Sequence, residues 1–522
     1  MAFTLIQSGS SLQLVDTSGT LTTLTLPSNV TLESTRTPRF AVYDKYVVVV
    51  NSPSRPLIVD GVGTVRVLGL KPPGTVITLS GVAGGTLSGA FTVKQTFRVK
   101  DSDGNIITES DYGPVSNTSA ISSQYLKAAG ITLSSDTITE TQLYRTTANG
   151  TVYFPWTTLV GNTATSTQDD LSDAGLSLVA APTLGTVPDL TLVVEWRGRL
   201  WGVDRAKIDY TRYTEAGVMY SWPTSNSLVV PKIGADTRGV TAYIPRRDAL
   251  GIGRRNSIHQ VTGTSNSDFR VVKLSENVGV ESQESVVVYR DTAYWLWKDG
   301  IYKWDTNGIS CISDGSVRNW FASDTYFNRG VYSTSFAMID PIRNKYLLFL
   351  AAVGGSTINR WVEYDLTDKT WWGPHKTDAF TPTAAVVVTD SNDTLIPMIG
   401  DSTGFLSQNQ STRTDWTSTG IAMSFDSKFH DAGTPDVEKY FGELSIIGKV
   451  QSAGTCAVTP TVGYLNSTAK TALVYDMTKG RQRLGRIGQG KLAKLNFAHS
   501  TQGQNVEIYG YEVDPIIEIG RR

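Results

Sequence analysis

The sequence lacks long hydrophobic runs. No apolar stretch approaches the roughly 20 residues of a membrane-spanning helix. The N-terminal segment MAFTLIQSGSSLQLVD also lacks the basic segment and apolar run of about 7–15 residues that mark a secretory signal. These absences predict a soluble protein that is not exported by this route and does not insert into a membrane.

Cysteine is scarce as well. Only Cys311 and Cys456 occur, 145 residues apart in a chain of 522. A structure of this size does not depend on one such bridge, so both thiols are expected to be small buried side chains in a protein that folds in a reducing cytoplasm.

The chain has no excess of either charge. It contains 47 Lys and Arg against 48 Asp and Glu, which gives a formal net charge of −1. Sequence-independent binding to nucleic acid or to an anionic membrane would need a basic field over the whole surface. Any contact with DNA must therefore be local.

Patterns of metal and enzyme sites are missing. The sequence has no HExxH or CxxC motif, and no glycine-rich phosphate loop that leads into a helix. Gly251 and Gly253 before Arg254 are expected to form a turn between strands. We expect no catalytic residue, no metal, no cofactor and no enzymatic activity. The histidines, expected to be single surface or packing residues, are His259, His375, His430 and His499.

A propeller glycosidase would need carboxylates at the mouth of its ring. The Ser-x-Asp-x-Gly-x-Thr-Trp turn of sialidase blades is absent, and the candidate aspartates stand where Asp closes turns. The aspartates are Asp204, Asp305, Asp340 and Asp365.

What the chain does contain favours β-structure. It has 48 glycines, 22 tyrosines and 12 tryptophans with abundant Thr, Ser and Val, against six methionines. At roughly 100–200 residues per domain, the length predicts about three or four units. The predicted fold class is all-β.

Short strand pairs with aromatic residues beside Gly or Asp turns recur about six or seven times. In TLVVEWRGRLWGVDRAKIDYTRY, for example, Trp196, Leu200 and Trp201 flank an Arg-Gly-Arg turn. Sheets of three or four strands stack most readily around an axis, because one such sheet cannot bury both of its faces. The sequence predicts a β-propeller of six or so blades, which the N-terminal strands close by pairing with the last blade.

Two stretches break this pattern. Alternating strands that end in DDLSDAGL fit an inserted sandwich of fibronectin type III kind. A further run of strands after QNQSTRTDWTSTG predicts a C-terminal β-domain. The predicted organisation is N-terminal strands with the first blade in 1–70, the inserted sandwich in 71–180, the remaining blades in 181–415 and the C-terminal domain in 416–522.

Aromatic clusters can serve as sugar-stacking platforms or as packing between blades. Their alternation along the strands favours packing. The clusters are Tyr294, Trp295, Trp297, Tyr302 and Trp304, and Trp361, Tyr364, Trp371 and Trp372.

Two groups of basic residues are the candidate functional residues. They form either a solvated face, subunit contacts, or contacts with DNA phosphates. A strand with basic side chains on one face can grip a neighbouring subunit or line a channel. The residues are Arg246, Arg247, Arg254 and Arg255 in one group, and Lys479, Arg481, Arg483, Arg486, Lys491 and Lys494 in the other.

From about residue 36 to the end, the order of segments resembles the tail nozzle, or tail tubular protein B, of short-tailed bacteriophages and the related packaged-DNA stabilisation proteins. In that family a sandwich ending YRT…G…D…sDa precedes a blade W-x-x-RLWG, and the C-terminal domain reads KxFxxLxIxG…GRxRLGxGxG. The matching residues are Tyr144-Arg145-Thr146, Asp170, Ser172-Asp173-Ala174, Trp196 to Gly202, Ile208-Asp209-Tyr210, Lys439-Tyr440-Phe441, Leu444, Ile446, Gly448, Gly480 to Gly485 and Gly488. The chain departs from the pattern at Arg486-Ile487, where a shorter turn is expected.

The resemblance implies a hexameric ring below the portal and adaptor (head-tail connector) rings, in the tail of a virion that is assembled in the host cytoplasm. Such a ring retains packaged double-stranded DNA, conducts it during ejection and supports tail fibres or spikes. A channel wall without excess basic charge would not retard the exit of DNA, which agrees with the net charge.

Three alternatives stay open. A glycan-binding receptor or tail-fibre protein would use exposed aromatic residues and is expected to carry a trimer-forming shaft. A glycan-cleaving propeller enzyme would need two carboxylates about 5–10 Å apart. A cellular propeller scaffold would show regular Trp-Asp or kelch spacing, and this chain does not.

Overall fold

A computed structural model describes residues 4–16, 20–51, 53–234, 236–377, 380–389, 392–403, 406–408, 415–416, 419–420, 422–463 and 467–520. The chain is nearly all-β, with 51% of residues in strands and 3% in helices, and this confirms the predicted fold class. It divides into two compact units, which are Met1–Thr377 with Thr381–Ser407, and Gln408–Arg522 with Asp378–Phe380.

Strands β1 to β14 begin the first unit. The N-terminal sheet contains β1 (Thr4–Ser8), β2 (Ser11–Val15) and β3 (Leu21–Thr23). Sheet I contains β4 (Arg39–Tyr43), β5 (Tyr46–Val50), β6 (Leu57–Val59) and β7 (Val65–Val67). The strands that follow are β8 (Thr78–Phe91), β9 (Val93–Lys100), β10 (Ile106–Glu109), β11 (Ser119–Ala129), β12 (Glu140–Thr146), β13 (Tyr153–Val160) and β14 (Ser166–Asp169).

Five further antiparallel sheets follow in chain order. Sheet II contains β15 (Leu190–Trp196), β16 (Arg199–Asp204), β17 (Tyr210–Tyr213) and β18 (Ser227–Val229). Sheet III contains β19 (Val240–Pro245), β20 (Leu250–Arg254), β21 (Ile258–Thr262) and β22 (Arg270–Ser275). Sheet IV contains β23 (Val287–Tyr289), β24 (Thr292–Trp297), β25 (Gly300–Asp305) and β26 (Gly308–Cys311). Sheet V contains β27 (Phe336–Asp340), β28 (Lys345–Ala351), β29 (Ile358–Asp365) and β30 (Trp371–Lys376), and sheet VI contains β31 (Pro382–Thr389), β32 (Leu395–Asp401) and β33 (Leu406–Gln408).

Within the described ranges, helical structure is confined to short segments. They are the helix α1 (Arg318–Ala322) and 3₁₀ turns at Asp173–Gly175, Gln283–Ser285 and Arg329–Thr334. None of the helices in the described ranges is long and apolar enough to span a membrane.

Sheets I to VI contact one another through their first strands. Strand β4 contacts β15, β15 contacts β19, β19 contacts β23, β23 contacts β27, and β27 contacts β31. A small sheet is stable only when it packs against another layer. Each sheet therefore depends on its neighbours along the chain.

Aromatic side chains fill the spaces between these sheets, and their polar tips bond to the backbone of the next sheet. The indole of Trp196 in sheet II donates to the Arg246 carbonyl at 2.9 Å, and the indole of Trp297 in sheet IV donates to the Arg255 carbonyl at 2.7 Å. Both carbonyls belong to turns of sheet III. A buried donor left without a partner would cost about 1–3 kcal/mol.

The prediction of a turn at Gly251 and Gly253 is wrong, because both residues lie inside strand β20 and are buried. A Cβ atom on Gly251 would lie 2.7 Å from the ring of Trp304 and 2.9 Å from the Cβ of Ile244. A Cβ atom on Gly253 would lie 2.6 Å from Val280. Side chains of neighbouring segments occupy the space that a larger residue would need.

Strands β8 to β14 form two sheets, in the orders β10-β9-β12-β13 and β14-β11-β8. Phe91, Leu126, Leu143 and Trp156 share their hydrophobic core. The prediction that this segment is a fibronectin-like insertion stays a prediction.

Asp136 joins this segment to sheet I. Its two carboxylate oxygens accept hydrogen bonds from Arg55 at 2.8 and 2.7 Å, and one also accepts from the Lys71 amide at 2.9 Å. Burial alone would raise the pKa of Asp136, but these donors lower it to about 2. The carboxylate therefore stays ionised and paired.

Among its described residues, the second unit contains two larger sheets over one core and a separate pair of two-residue strands. Phe441, Leu444, Val458, Ile487 and Phe497 are buried together. One sheet has the order β36-β42-β38-β39, with β40 also paired to β38, and the other has the order β41-β37-β43. The strands are β34 (Asp415–Trp416), β35 (Thr419–Gly420), β36 (Met423–Asp426), β37 (Glu438–Gly448), β38 (Thr455–Val462), β39 (Thr468–Ala469), β40 (Leu473–Asp476), β41 (Arg481–Gly490), β42 (Ala493–His499) and β43 (Ile508–Gly520).

Both cysteines are free thiols. Cys456 is buried, as expected, whereas Cys311 is only half-buried because it stands on β26, the last strand of sheet IV. The expectation of two buried thiols is therefore correct for one of them.

Replacing Gly251 by alanine should lower the free energy of unfolding by about 1–3 kcal/mol, because the new methyl group would collide with Trp304 and Ile244. Gly74→Ala is the matched control, since no atom lies within 4 Å of its Cβ position. Urea unfolding of both variants checks this. Equal stability of the two variants would contradict the packing described for β20.

Candidate functional site

Arg254, in the first basic group, is fully buried. Its Nε lies 3.1 Å from Asp236 Oδ2 and its Nη1 lies 2.9 Å from Asp209 Oδ1. Asp236 is itself 1% exposed. The guanidinium group of Arg254 is therefore occupied inside the first unit and is not available to DNA or to a second subunit.

Arg246 is similarly enclosed, with 7% of its side chain exposed. Its Nη2 lies 3.0 Å from Asp291 Oδ2, and its guanidinium group lies 4.7 Å from the centroid of the Trp304 ring. This arginine ties the first turn of sheet III to sheet IV. It too is a structural residue.

Arg247 and Arg255 are exposed. The backbone N–H of Arg247 donates to Asp291 Oδ1 at 3.1 Å, and Arg255 Nε lies 3.7 Å from Glu281 Oε1. Glu281 is only 7% exposed, whereas the Arg255 side chain is 45% exposed. The side chains of Arg247 and Arg255 both reach the surface, where they can contact another molecule.

In the second basic group, Arg481, Arg483 and Arg486 are exposed along β41. Arg481 pairs with Glu512, and Arg483 Nη1 lies 3.4 Å from Glu443 Oε2. Arg486 has no ion-pair partner among the described residues. The three side chains form a basic row on the outer face of the β41-β37-β43 sheet.

The three lysines of that group lie elsewhere. Lys479 precedes β41, with its Nζ 3.6 Å from Asp476 Oδ2. Lys491 follows β41, and Lys494 stands on β42 in the other sheet with its Nζ 3.0 Å from Asp426 Oδ2. The expected single basic face is therefore limited to the three arginines.

The acidic residues of the same sheet were not predicted from the sequence. Glu443 on β37 stands opposite Arg486 of β41 on one side and Asp514 of β43 on the other. At the next outward position of β37, Arg483 and Glu512 stand at one level in the same way. The alternation of Glu512 and Asp514 in the segment YEVDP is the sequence feature that could have indicated an acidic face. Pairing of β37 with both strands brings the two charge rows onto one sheet.

The four aspartates considered as glycosidase carboxylates close turns, as predicted. Each accepts a hydrogen bond, 2.8–3.0 Å long, from the backbone N–H two residues later. Lys303 lowers the pKa of Asp305, and backbone amides lower that of Asp365. Both carboxylates are held in their ionised form by local contacts.

The aromatic clusters are mainly packing residues. Trp295 has no exposed surface and Trp304 is 4% exposed. Trp372 is the exception at 52% exposed, with Lys345 Nζ 5.5 Å from its ring centroid. One exposed tryptophan is not a stacking platform of several rings.

His259 on β21 is fully buried, and neither ring nitrogen has a hydrogen-bond partner in the part of the chain that the structure describes. Burial, aided by the charges of Arg254 and Lys273, lowers its pKa to about 4. Across the described residues, no group of three or more His, Cys, Asp or Glu side chains could hold a metal ion.

A cavity of about 490 Å³ lies among strands β1, β4, β27 and β31. Glu284 at its wall forms an ion pair with Arg39 of β4, with 2.5 Å between Arg39 Nη1 and Glu284 Oε1. A sphere with this volume of about 490 Å³ would be about 10 Å across, which is less than the roughly 12 Å width of one major groove of DNA. Duplex DNA does not fit in this cavity.

No protein-family model matches the chain. No curated protein sequence matches it either. Solved structures that match include an exo-β-1,3-galactanase from Phanerochaete chrysosporium (11% identity, 62% of this chain and 94% of that one, TM-score 0.23). Another is PorZ, a surface component of the type-IX secretion system of Porphyromonas gingivalis (9% identity, 98% and 97% coverage, TM-score 0.28). Identities and TM-scores this low carry no argument about function.

Arg254→Met should lower the free energy of unfolding by about 3–5 kcal/mol, because it leaves the buried Asp236 carboxylate without its partner. Arg255→Met, the neighbouring exposed control, should change stability by no more than about 0.5 kcal/mol. Urea unfolding at neutral pH measures both. Similar losses of stability for the two variants would contradict the buried ion pairs of Arg254 with Asp209 and Asp236.

The pKa of His259 predicts a stability loss in mild acid. The unfolded chain binds a proton at this residue below about pH 6.5, whereas the folded chain does so only near pH 4. The free energy of unfolding should therefore fall as pH is lowered through that window. His259→Leu should show a smaller fall than the wild type in urea titrations between pH 7.5 and 4.5, and parallel curves would contradict the prediction.

Proposed function

We propose that this chain is a structural virion protein that forms the nozzle of a short bacteriophage tail, and that it is not an enzyme. Copies assemble as a hexameric ring below the portal and adaptor, hold packaged double-stranded DNA, conduct it during ejection and support tail fibres or spikes. The order of sequence segments that resembles nozzle proteins is the origin of this proposal. The arrangement of the sheets supports it.

The observation that carries the proposal is the unbroken series of first-strand contacts from sheet I to sheet VI. These sheets are the blades of a propeller, with the N-terminal strands at its closure. Strands β8 to β14 are the fibronectin-like insertion between the first and second blades. The second unit is the C-terminal domain.

The residues that carry the family resemblance have structural contacts. Arg145 of the YRT segment is fully buried, and its Nη1 lies 2.7 Å from Oδ1 of Asp173 in the SDA segment. Lys439, also fully buried, donates to the carbonyls of Val437 at 2.8 Å and Lys491 at 3.2 Å. These buried contacts hold chain segments together, which is consistent with a structural role for the protein.

The path for DNA lies between copies, on the common axis of the ring. The cavity among β1, β4, β27 and β31 is too narrow, and Glu284 at its wall is paired with Arg39. A channel wall with excess positive charge would bind DNA phosphates and hold the genome back. The formal net charge of −1 agrees with a wall that does not. Contacts with DNA are accordingly few and local.

The test is the mass of the purified full chain by light scattering, alone and with portal and adaptor rings of a short-tailed phage, followed by negative-stain imaging. A six-fold ring, alone or on the adaptor, is the expected result. A monomer or trimer that ignores those rings and binds or cleaves host polysaccharide would overturn the proposal in favour of the glycan alternatives.

A further inference from the structure

The β41-β37-β43 sheet of the second unit has two free edges. Strands β41 and β43 each pair with β37 and with no other strand in the described ranges. An unpaired edge presents a row of backbone N–H and C=O groups that another strand can complete. Strand β43 is long for an edge, with 13 residues.

The two edges carry opposite charge. Strand β41 presents Arg483 and Arg486, which are both exposed, and β43 presents Glu512 and Asp514, which are both exposed. Asp514 has no ion-pair partner among the described residues. Complementary patches at two different places on one molecule fit a head-to-tail contact between copies.

The charges also stand at matching levels. Pairing with β37 puts Arg486 level with Asp514 and Arg483 level with Glu512. Because β41 and β43 are both antiparallel to β37, they run in the same direction. Rotation of a second copy about an axis along the strands brings its β41 beside β43 in parallel, with each arginine facing an acidic residue.

Exposed apolar side chains occupy the far end of the acidic edge. Ile516, Ile517 and Ile519 are 42%, 52% and 52% exposed. Side chains from both faces of β43 are in solvent here. A neighbouring strand would cover part of this surface.

We propose that copies of this chain associate through these edges, with β43 of one copy beside β41 of the next. This contact rests on the proposed ring and names the surface that builds it. A two-fold contact of β43 with β43 is disfavoured, because it sets acidic residues against acidic residues. The head-to-tail contact leaves one acidic and one basic edge free at each step, and it ends in the proposed ring when the rotation between copies closes.

Two charge-reversed variants of the full chain test the contact. One carries Glu512→Arg with Asp514→Arg, and the other carries Arg483→Glu with Arg486→Glu. In each variant both edges carry charge of the same sign. Each variant alone should therefore self-associate at least about tenfold more weakly than the wild type in low salt. A one-to-one mixture sets opposite charges at every contact and should regain wild-type association, measured by sedimentation velocity.

The matched control is Asp426→Lys with Lys494→Asp, which exchanges charges on the other sheet and should associate as the wild type does. Thermal unfolding checks that every variant is folded. The edge contact is wrong if either variant alone associates as the wild type does, or if the mixture does not regain wild-type association. In that case a ring formed by the wild type would still support the nozzle proposal. If the wild type forms no ring alone or on an adaptor, both proposals fail.

Discussion

A small antiparallel sheet cannot bury both of its faces, and the first unit depends on how its sheets solve this problem. Each sheet covers the next with aromatic rings, and the one polar atom of a ring donates to a carbonyl of the neighbouring turn. Trp196 and Trp297 reach the two sides of sheet III in this way. The rings supply apolar area, and the hydrogen bonds set the distance and orientation between sheets.

Buried ion pairs also hold distant segments of the first unit together. Arg254 joins Asp209 and Asp236 across the interior of the first unit, and Arg55 with Asp136 joins the β8 to β14 segment to sheet I. Burial weakens the solvation of each ion, so the pair is stable only when every partner is present. Arg246 and Arg254, which look like part of a basic surface in the sequence, are therefore internal structural residues.

Surface charge is arranged differently in the second unit. Basic and acidic rows share one sheet, and their sum is close to zero on that face. This agrees with the balanced charge of the whole chain, because the edge contact proposed between copies would use both signs and leave little excess for DNA. A ring held by such edges would be sensitive to salt, whereas the packed aromatic interior would not.

The sequence by itself determined the all-β class, the recurring strand pairs with aromatic residues and the turn-closing role of the four aspartates. These properties are local: period-two alternation, turn chemistry and β-propensity act over a few residues. Tertiary structure alone decided that Gly251 lies under Trp304 inside a strand, that Arg254 is buried while Arg255 is exposed, and that Glu512 and Asp514 share a sheet with Arg483 and Arg486. Each of these depends on which distant segment packs against or pairs with the residue, and no local pattern carries that information.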